Sequence, residues 1–152
     1  FWQSYGDRRP TSIIVEPEQS ACWFHSLQNR RPTVISGDID SVMAGLACGE
    51  ISTLAWDILE PGAAWAMTVQ DGAAEDCMRL LADSRHGDAP MVAGESGVAG
   101  LVGLIALAGD KEARSRAGLT ETSSVIVFGT EGATDPEMYR HIVGRTPEEV
   151  TA

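Results

Sequence analysis

Lysine is almost missing from this sequence: its 152 residues contain one, Lys111, set in the charged stretch GDKEARSR. The neighbours of Lys111 mark a solvated connection. Cysteine is scarce too. Cys22, Cys48 and Cys77 lie far apart, without CxxC spacing and without clustered histidines, which excludes a disulfide framework and a zinc site of the usual pattern. Basic residues are few, 11 against 22 acidic ones for a formal net charge of −11, which argues against nucleic acid or an anionic membrane surface as the main partner. Long apolar runs are absent as well: Met91 to Gly109 is interrupted by Glu95 and five glycines, so it makes a poor membrane span. The opening residues show no secretory pattern, and the cytoplasm is the expected compartment.

What is present is an alternation of strand-like and helix-like segments. FWQSYG reads as the last turn of a helix stopped at Gly6, a start expected of a piece of a longer chain. TSIIVEPE (11–18) is a short β-branched run closed by Pro17, the pattern of a strand buried on both faces. EQSACWFHSLQNRR reads as a helix, TVISGD as a second short strand, and SVMAGLACGEISTLAWDILE as helical spacing broken at Gly45 and Gly49. AAWAMTVQD (63–71) reads as a strand, and DGAAEDCMRLLADS as a helix with Asp71 as its N-cap. MVAGESGVAGLVGLIALAGD gives a glycine turn and then an apolar helix ending at Gly109. The charged DKEARSRAGLTETS reads as loop. SSVIVFG reads as a strand, and TDPEMYRHIVG as a helix with Thr134 or Asp135 as N-cap and Pro136 at its first position. Such alternation predicts an α/β protein with a largely parallel sheet. At this length one domain can bury a real core.

Two glycine turns stand between an apolar segment and a helix: Gly94-Glu95-Ser96-Gly97 and Gly129-Thr130-Glu131-Gly132. In parallel sheets such turns lie at the carboxyl ends of strands, where open α/β proteins hold ligands, and the backbone amides of the first turn, at a helix N-terminus, would favour an anionic group. Neither turn matches GxGxxG or GxxxxGK[ST], so neither identifies a nucleotide site, and each alone reads as an ordinary connection. His25, His86 and His141 fall in surface-like contexts, and Ser96 lacks the spacing of a nucleophile elbow. Cys48, beside a glycine in GLACGE, reads as a small buried residue, and the four tryptophans read as core.

Four segments in register, SIIVEPEQSACWFHS, SVMAGLACGE, GESGVAGLVGL and SVIVFGTEGATD, resemble the C-terminal part of the diaminopropionate ammonia-lyases. That group belongs to the fold type II enzymes of pyridoxal 5'-phosphate. The resemblance implies a three-layer α/β sandwich, with residues 1–152 forming a single domain or domain fragment: the C-terminal portion of the cofactor-binding large domain, with the N-terminal catalytic half absent. It also implies a homodimer and a small amino-acid substrate. Family members carry the Schiff-base lysine, the acid/base residues and most of a phosphate-binding glycine loop upstream, and Lys111 does not occupy the family's lysine position. No catalytic residue is therefore expected within these residues, which alone should be inactive.

The resemblance places Ala44 and Gly45 beside the cofactor ring, where a larger side chain would collide, and puts Glu95 and Ser96 near the ring. Ser96 stands where the dehydratases of the same fold have proline. Thr130 resembles the hydroxyl residue facing the pyridine nitrogen, with Glu131 next door as its rival. A hydroxyl there leaves the nitrogen unprotonated, whereas a carboxylate would favour a stronger electron sink. The implied reaction of the complete enzyme turns 2,3-diaminopropionate into pyruvate and two ammonia molecules. A serine or threonine dehydratase, or a non-catalytic structural remnant, are the rival readings.

Overall fold

A computed structural model describes residues 2–152. A first helical turn, α1 (Trp2–Tyr5), runs through a 3-10 turn at Gly6–Arg8 into β1 (Ser12–Pro17). A 3-10 turn, Glu18–Ser20, leads into α2 (Cys22–Asn29), and a long connection carries a further 3-10 turn at Ala44–Leu46. Then come α3 (Thr53–Leu59), β2 (Ala63–Val69), α4 (Asp71–Asp83), α5 (Ala99–Gly109), α6 (Lys111–Arg116), α7 (Pro136–Val143) and α8 (Pro147–Thr151).

β1 and β2 pair in parallel, with Val15 opposite Met67 and Glu16 opposite Thr68. Successive side chains on a strand point to opposite faces, and this places helices on both sides of the sheet. On one face Val15 and Met67 meet α5 at Gly103, where a Cβ would lie 3.2 Å from Val15 Cγ1 and 3.3 Å from the Met67 sulfur. On the other face the Glu16 carboxylate accepts the N–H groups of Trp23 at 2.9 Å and Phe24 at 2.8 Å, capping the start of α2. Glu16 is buried, and burial pushes its carboxyl above the usual range despite those amides. The expected α/β class, a parallel sheet flanked by helices, is what the chain adopts.

The apolar core sits beyond the carboxyl end of β2, where Val69, Met78, Val98, Val102, Tyr139 and Ile142 gather between α4, α5 and α7. Arg79 fastens α4 to α7 by donating to the Ile142 carbonyl at 2.8 Å. Thr146 closes a reciprocal capping box with Glu149 at the start of α8.

Several sequence expectations fail. The run from Ser124 to Phe128 has no strand, because a strand needs a neighbour for its backbone groups and the described ladder joins β1 and β2 only. Val127 rests instead on α5 at Gly100, while Ile126 is 65% and Phe128 71% exposed. TVISGD makes one backbone bond, Ile35 N–H to the Gly49 carbonyl at 2.9 Å, and no ladder. The supposed loop after Gly109 folds as α6, since Asp110 accepts the Ala113 N–H at 2.7 Å and Lys, Glu, Ala and Arg are strong helix formers. Gln70, not Asp71, is the N-cap of α4. The tryptophans Trp23, Trp56 and Trp65 are half-buried rather than core, and Cys48 is exposed.

Candidate functional site

The site builds upward from Asp71, whose carboxylate is used across the fold rather than on its own helix. It accepts the Ser41 hydroxyl at 2.6 Å and the Val42 N–H at 3.0 Å. Ser20, just after β1, moors the other end of the same loop by donating to the Leu46 carbonyl at 3.0 Å. Between these two anchors stands the 3-10 turn of Ala44 and Gly45, both exposed. The loop is therefore held at its ends and presents small residues at its crest.

Gly45 is also tied to the second turn: its N–H donates to Ser96 Oγ at 2.9 Å, and a Cβ on Gly45 would lie 3.0 Å from that oxygen. Ser96 is in turn held by the third. Its N–H donates to Glu131 Oε2 at 2.7 Å, and Gly97 donates to the same oxygen at 3.1 Å. The Gly94 N–H donates to the Glu131 backbone carbonyl at 3.0 Å. The amides of the turn ahead of α5 do hold an anion, and that anion is the chain's own Glu131. Glycine is required because the turns meet backbone to backbone: a Cβ on Gly97 would stand 2.7 Å from the Glu131 carbonyl oxygen, and one on Gly94 would strike the Gly132 carbonyl oxygen.

The structure thus brings Gly45, Ser96 and the Gly129–Gly132 turn together. Thr130 projects from that turn exposed, and its hydroxyl makes no hydrogen bond among the described residues. No Cβ-sized obstacle stands at Gly132, where nothing lies within 4 Å. Glu95 is buried: it is 6% exposed, and burial above all, then the neighbouring charges of Glu131 and Asp135, push its carboxyl above the usual range. Glu131 is the tie between the turns that sequence reasoning undervalued. Nothing local signals it beyond a carboxylate set between glycines.

The nucleophile candidates fall away. His25, His86 and His141 are exposed on the surface. Burial pushes the thiols of Cys22 and Cys77 up to about 11, so both stay protonated near neutral pH. No group of three or more His, Cys, Asp or Glu residues that could hold a metal exists among the described residues. No helix of the described residues is long and apolar enough to cross a membrane. Lys111 is exposed at the start of α6 and separated from the turns by the 11 residues of α5. At 1.5 Å per residue that helix is about 16 Å long, well beyond the reach of a lysine stem.

What the turns offer chemically is a surface of backbone and small side chains with one unengaged hydroxyl and its nearest carboxylate already satisfied.

The family model of the pyridoxal-phosphate dependent enzymes matches residues 1–129. The diaminopropionate ammonia-lyase of Salmonella typhimurium is 33% identical over 149 residues, covering 94% of this chain and 37% of that protein. Its counterpart from Escherichia coli K12 is 36% identical over 142 residues, covering 91% of this chain and 36% of that protein. The crystal structure of the Escherichia coli diaminopropionate ammonia-lyase in complex with an aminoacrylate–PLP azomethine reaction intermediate superimposes with a TM-score of 0.76 at 36% identity. It covers 87% of this chain and 34% of that one. The chain spans a little over a third of the length of the curated relatives it matches.

Proposed function

This chain belongs to the pyridoxal-phosphate dependent enzyme family, and from that premise we propose that it forms the ring-facing part of an ammonia-lyase that converts 2,3-diaminopropionate to pyruvate and two ammonia molecules. The observation that carries the reading is the division of labour in Gly129–Gly132. Glu131 is committed to Ser96 and Gly97, while the adjacent Thr130 hydroxyl is exposed and unengaged. Bound at this surface, pyridoxal phosphate would supply the electron sink that stabilises negative charge at the substrate's α-carbon.

The residues of this chain bind and orient. Thr130 would donate a hydrogen bond from its hydroxyl to the ring nitrogen and, being neutral, would not impose a positive charge there. Ala44 and Gly45 keep the ring face clear of side chains, with the loop's position fixed by Asp71 and Ser20. Ser96 keeps Gly45 in place, and Glu95 beside it is buried. The acid/base residues and the lysine that carries the cofactor belong to residues outside this chain, a reading supported by the remoteness of Lys111 from the turns.

The test uses the full-length polypeptide that contains these residues. It should release two ammonia molecules per pyruvate from 2,3-diaminopropionate. Faster turnover of serine than of diaminopropionate would reassign it to the dehydratases. Thr130→Asp in the same protein should shift the bound cofactor's absorbance, and an unchanged spectrum would remove Thr130 from the ring nitrogen. Residues 1–152 alone, given pyridoxal phosphate and borohydride, should show no saturable labelling of Lys111. Stoichiometric trapping there would refute the placement of the cofactor's lysine elsewhere.

A further inference from the structure

We propose that Glu131 is a positioning residue, whose carboxylate locks the Gly94–Gly97 turn against the Gly129–Gly132 turn and thereby sets both Thr130 and Gly45 toward the cofactor ring. The inference rests on the reading of these turns as the ring's seat and goes beyond it by assigning the group that holds them. The observations are geometric. One carboxylate oxygen takes the N–H groups of Ser96 and Gly97 at 2.7 and 3.1 Å, and the backbone carbonyl of the same residue takes Gly94 N–H at 3.0 Å. Ser96, pinned through its own N–H, then accepts Gly45 N–H with its hydroxyl at 2.9 Å. Thr134 adds a longer contact, 3.5 Å, to the other oxygen of Glu131.

Three segments, 51 and 35 residues apart, are thus joined in series, Gly45 to Ser96 to Glu131. A charged acceptor shared by two amides is a stronger and more directional tie than a neutral one. Because the carboxylate is consumed inside the protein, the residue before it presents its hydroxyl outward. The same spacing explains how a carboxylate can neighbour the ring nitrogen in sequence without serving it: Glu131 turns inward to the amides while Thr130 stays exposed. Glu131 acts through the turns and not on the substrate.

The test compares Glu131→Ala with Glu131→Gln, and with Arg79→Ala, which loosens the α4 to α7 contact without touching the turns. In the full-length protein the dissociation constant of pyridoxal phosphate should rise tenfold or more in Glu131→Ala, with a shifted absorbance of the bound cofactor. Glu131→Gln, which keeps one acceptor oxygen for both amides, should recover most of the affinity. Arg79→Ala should keep the wild-type absorbance even at an equal loss of thermal stability. In residues 1–152 without cofactor, the amide proton resonances of Ser96 and Gly97 should move upfield in Glu131→Ala, and that of Gly45 should follow. Wild-type affinity and absorbance in Glu131→Ala would overturn the assignment, as would an Arg79→Ala spectrum matching that of Glu131→Ala. Failure of the wild-type full-length protein to bind pyridoxal phosphate, with the amide resonances still responding, would sink the reading of the site and this role with it.

Discussion

Gly97→Ala is the sharpest probe of how the two glycine turns are packed. The added Cβ would sit 2.7 Å from the Glu131 carbonyl oxygen, 3.3 Å from its nitrogen and 3.3 Å from its Cβ. Two of these three neighbours are backbone atoms, so no side-chain rotation relieves the clash; one turn must move. Overpacking of this kind costs about 1–3 kcal/mol. Displacement also lengthens the bonds from the Ser96 and Gly97 amides to the carboxylate, and a hydrogen bond to a charged group is worth about 1.5–3 kcal/mol. Because the two losses overlap, a total of about 2–4 kcal/mol is expected. With a urea m-value of about 2 kcal/mol/M, the denaturation midpoint should fall by about 1–2 M. The control is Gly132→Ala, three residues beyond Gly129 in the partner turn, where nothing lies within 4 Å of the new methyl group. It should change stability by less than about 0.5 kcal/mol. Urea titration followed by far-ultraviolet circular dichroism measures both variants. Equal midpoints for Gly97→Ala and Gly132→Ala would refute backbone contact between the turns as the reason for glycine.

Asp71→Ala leaves the Ser41 hydroxyl and the Val42 amide without their acceptor, so it should destabilise by about 1–3 kcal/mol, whereas loss of a simple first-turn helix acid costs about 0.3–1 kcal/mol; thermal unfolding separates the two ranges. Glu95→Gln tests the buried carboxyl. Its folded-state pKa is raised, chiefly by burial, so its contribution is fully present below pH 4.5 and is lost as pH rises through the raised value. The glutamine variant should accordingly melt higher than wild type at pH 7 and gain less at pH 4; an identical gain at both would show that Glu95 does not titrate differently on folding. Gly72→Ala, inside the first turn of α4 with open space around it, should stabilise by about 0.5–1 kcal/mol, and a loss of stability by calorimetry would contradict that helix position.

Elements with a strong local signature were legible. The β-branched run closed by Pro17 became β1, the Asp-Pro pair opened α7 with Asp135 accepting the Met138 N–H at 2.9 Å, and Gly144 ended it at φ 81°. The amides ahead of α5 were legible as an anion site. The identity of the anion was not, because Glu131 lies 35 residues from Ser96 and no periodicity reports a bond between two turns. Asp71 was misread for the same reason. As a helix-start acid it has an ordinary local role, and its partner Ser41 lies 30 residues away.

Residue order alone therefore determined the chemistry on offer: one lysine in a solvated stretch, two glycine turns before helices, a threonine beside a glutamate, and four segments shared in register with a family. Tertiary structure decided which group faces where. Val125 and Ile126 carry strand propensity but stay 47% and 65% exposed, because propensity forms a strand only where a neighbouring backbone completes the ladder. Thr130 and Glu131 are adjacent in the chain, yet one is exposed and the other is bound to two amides. That choice was made by the approach of Gly94 and Gly97, whose missing side chains let a distant turn come close enough to claim the carboxylate.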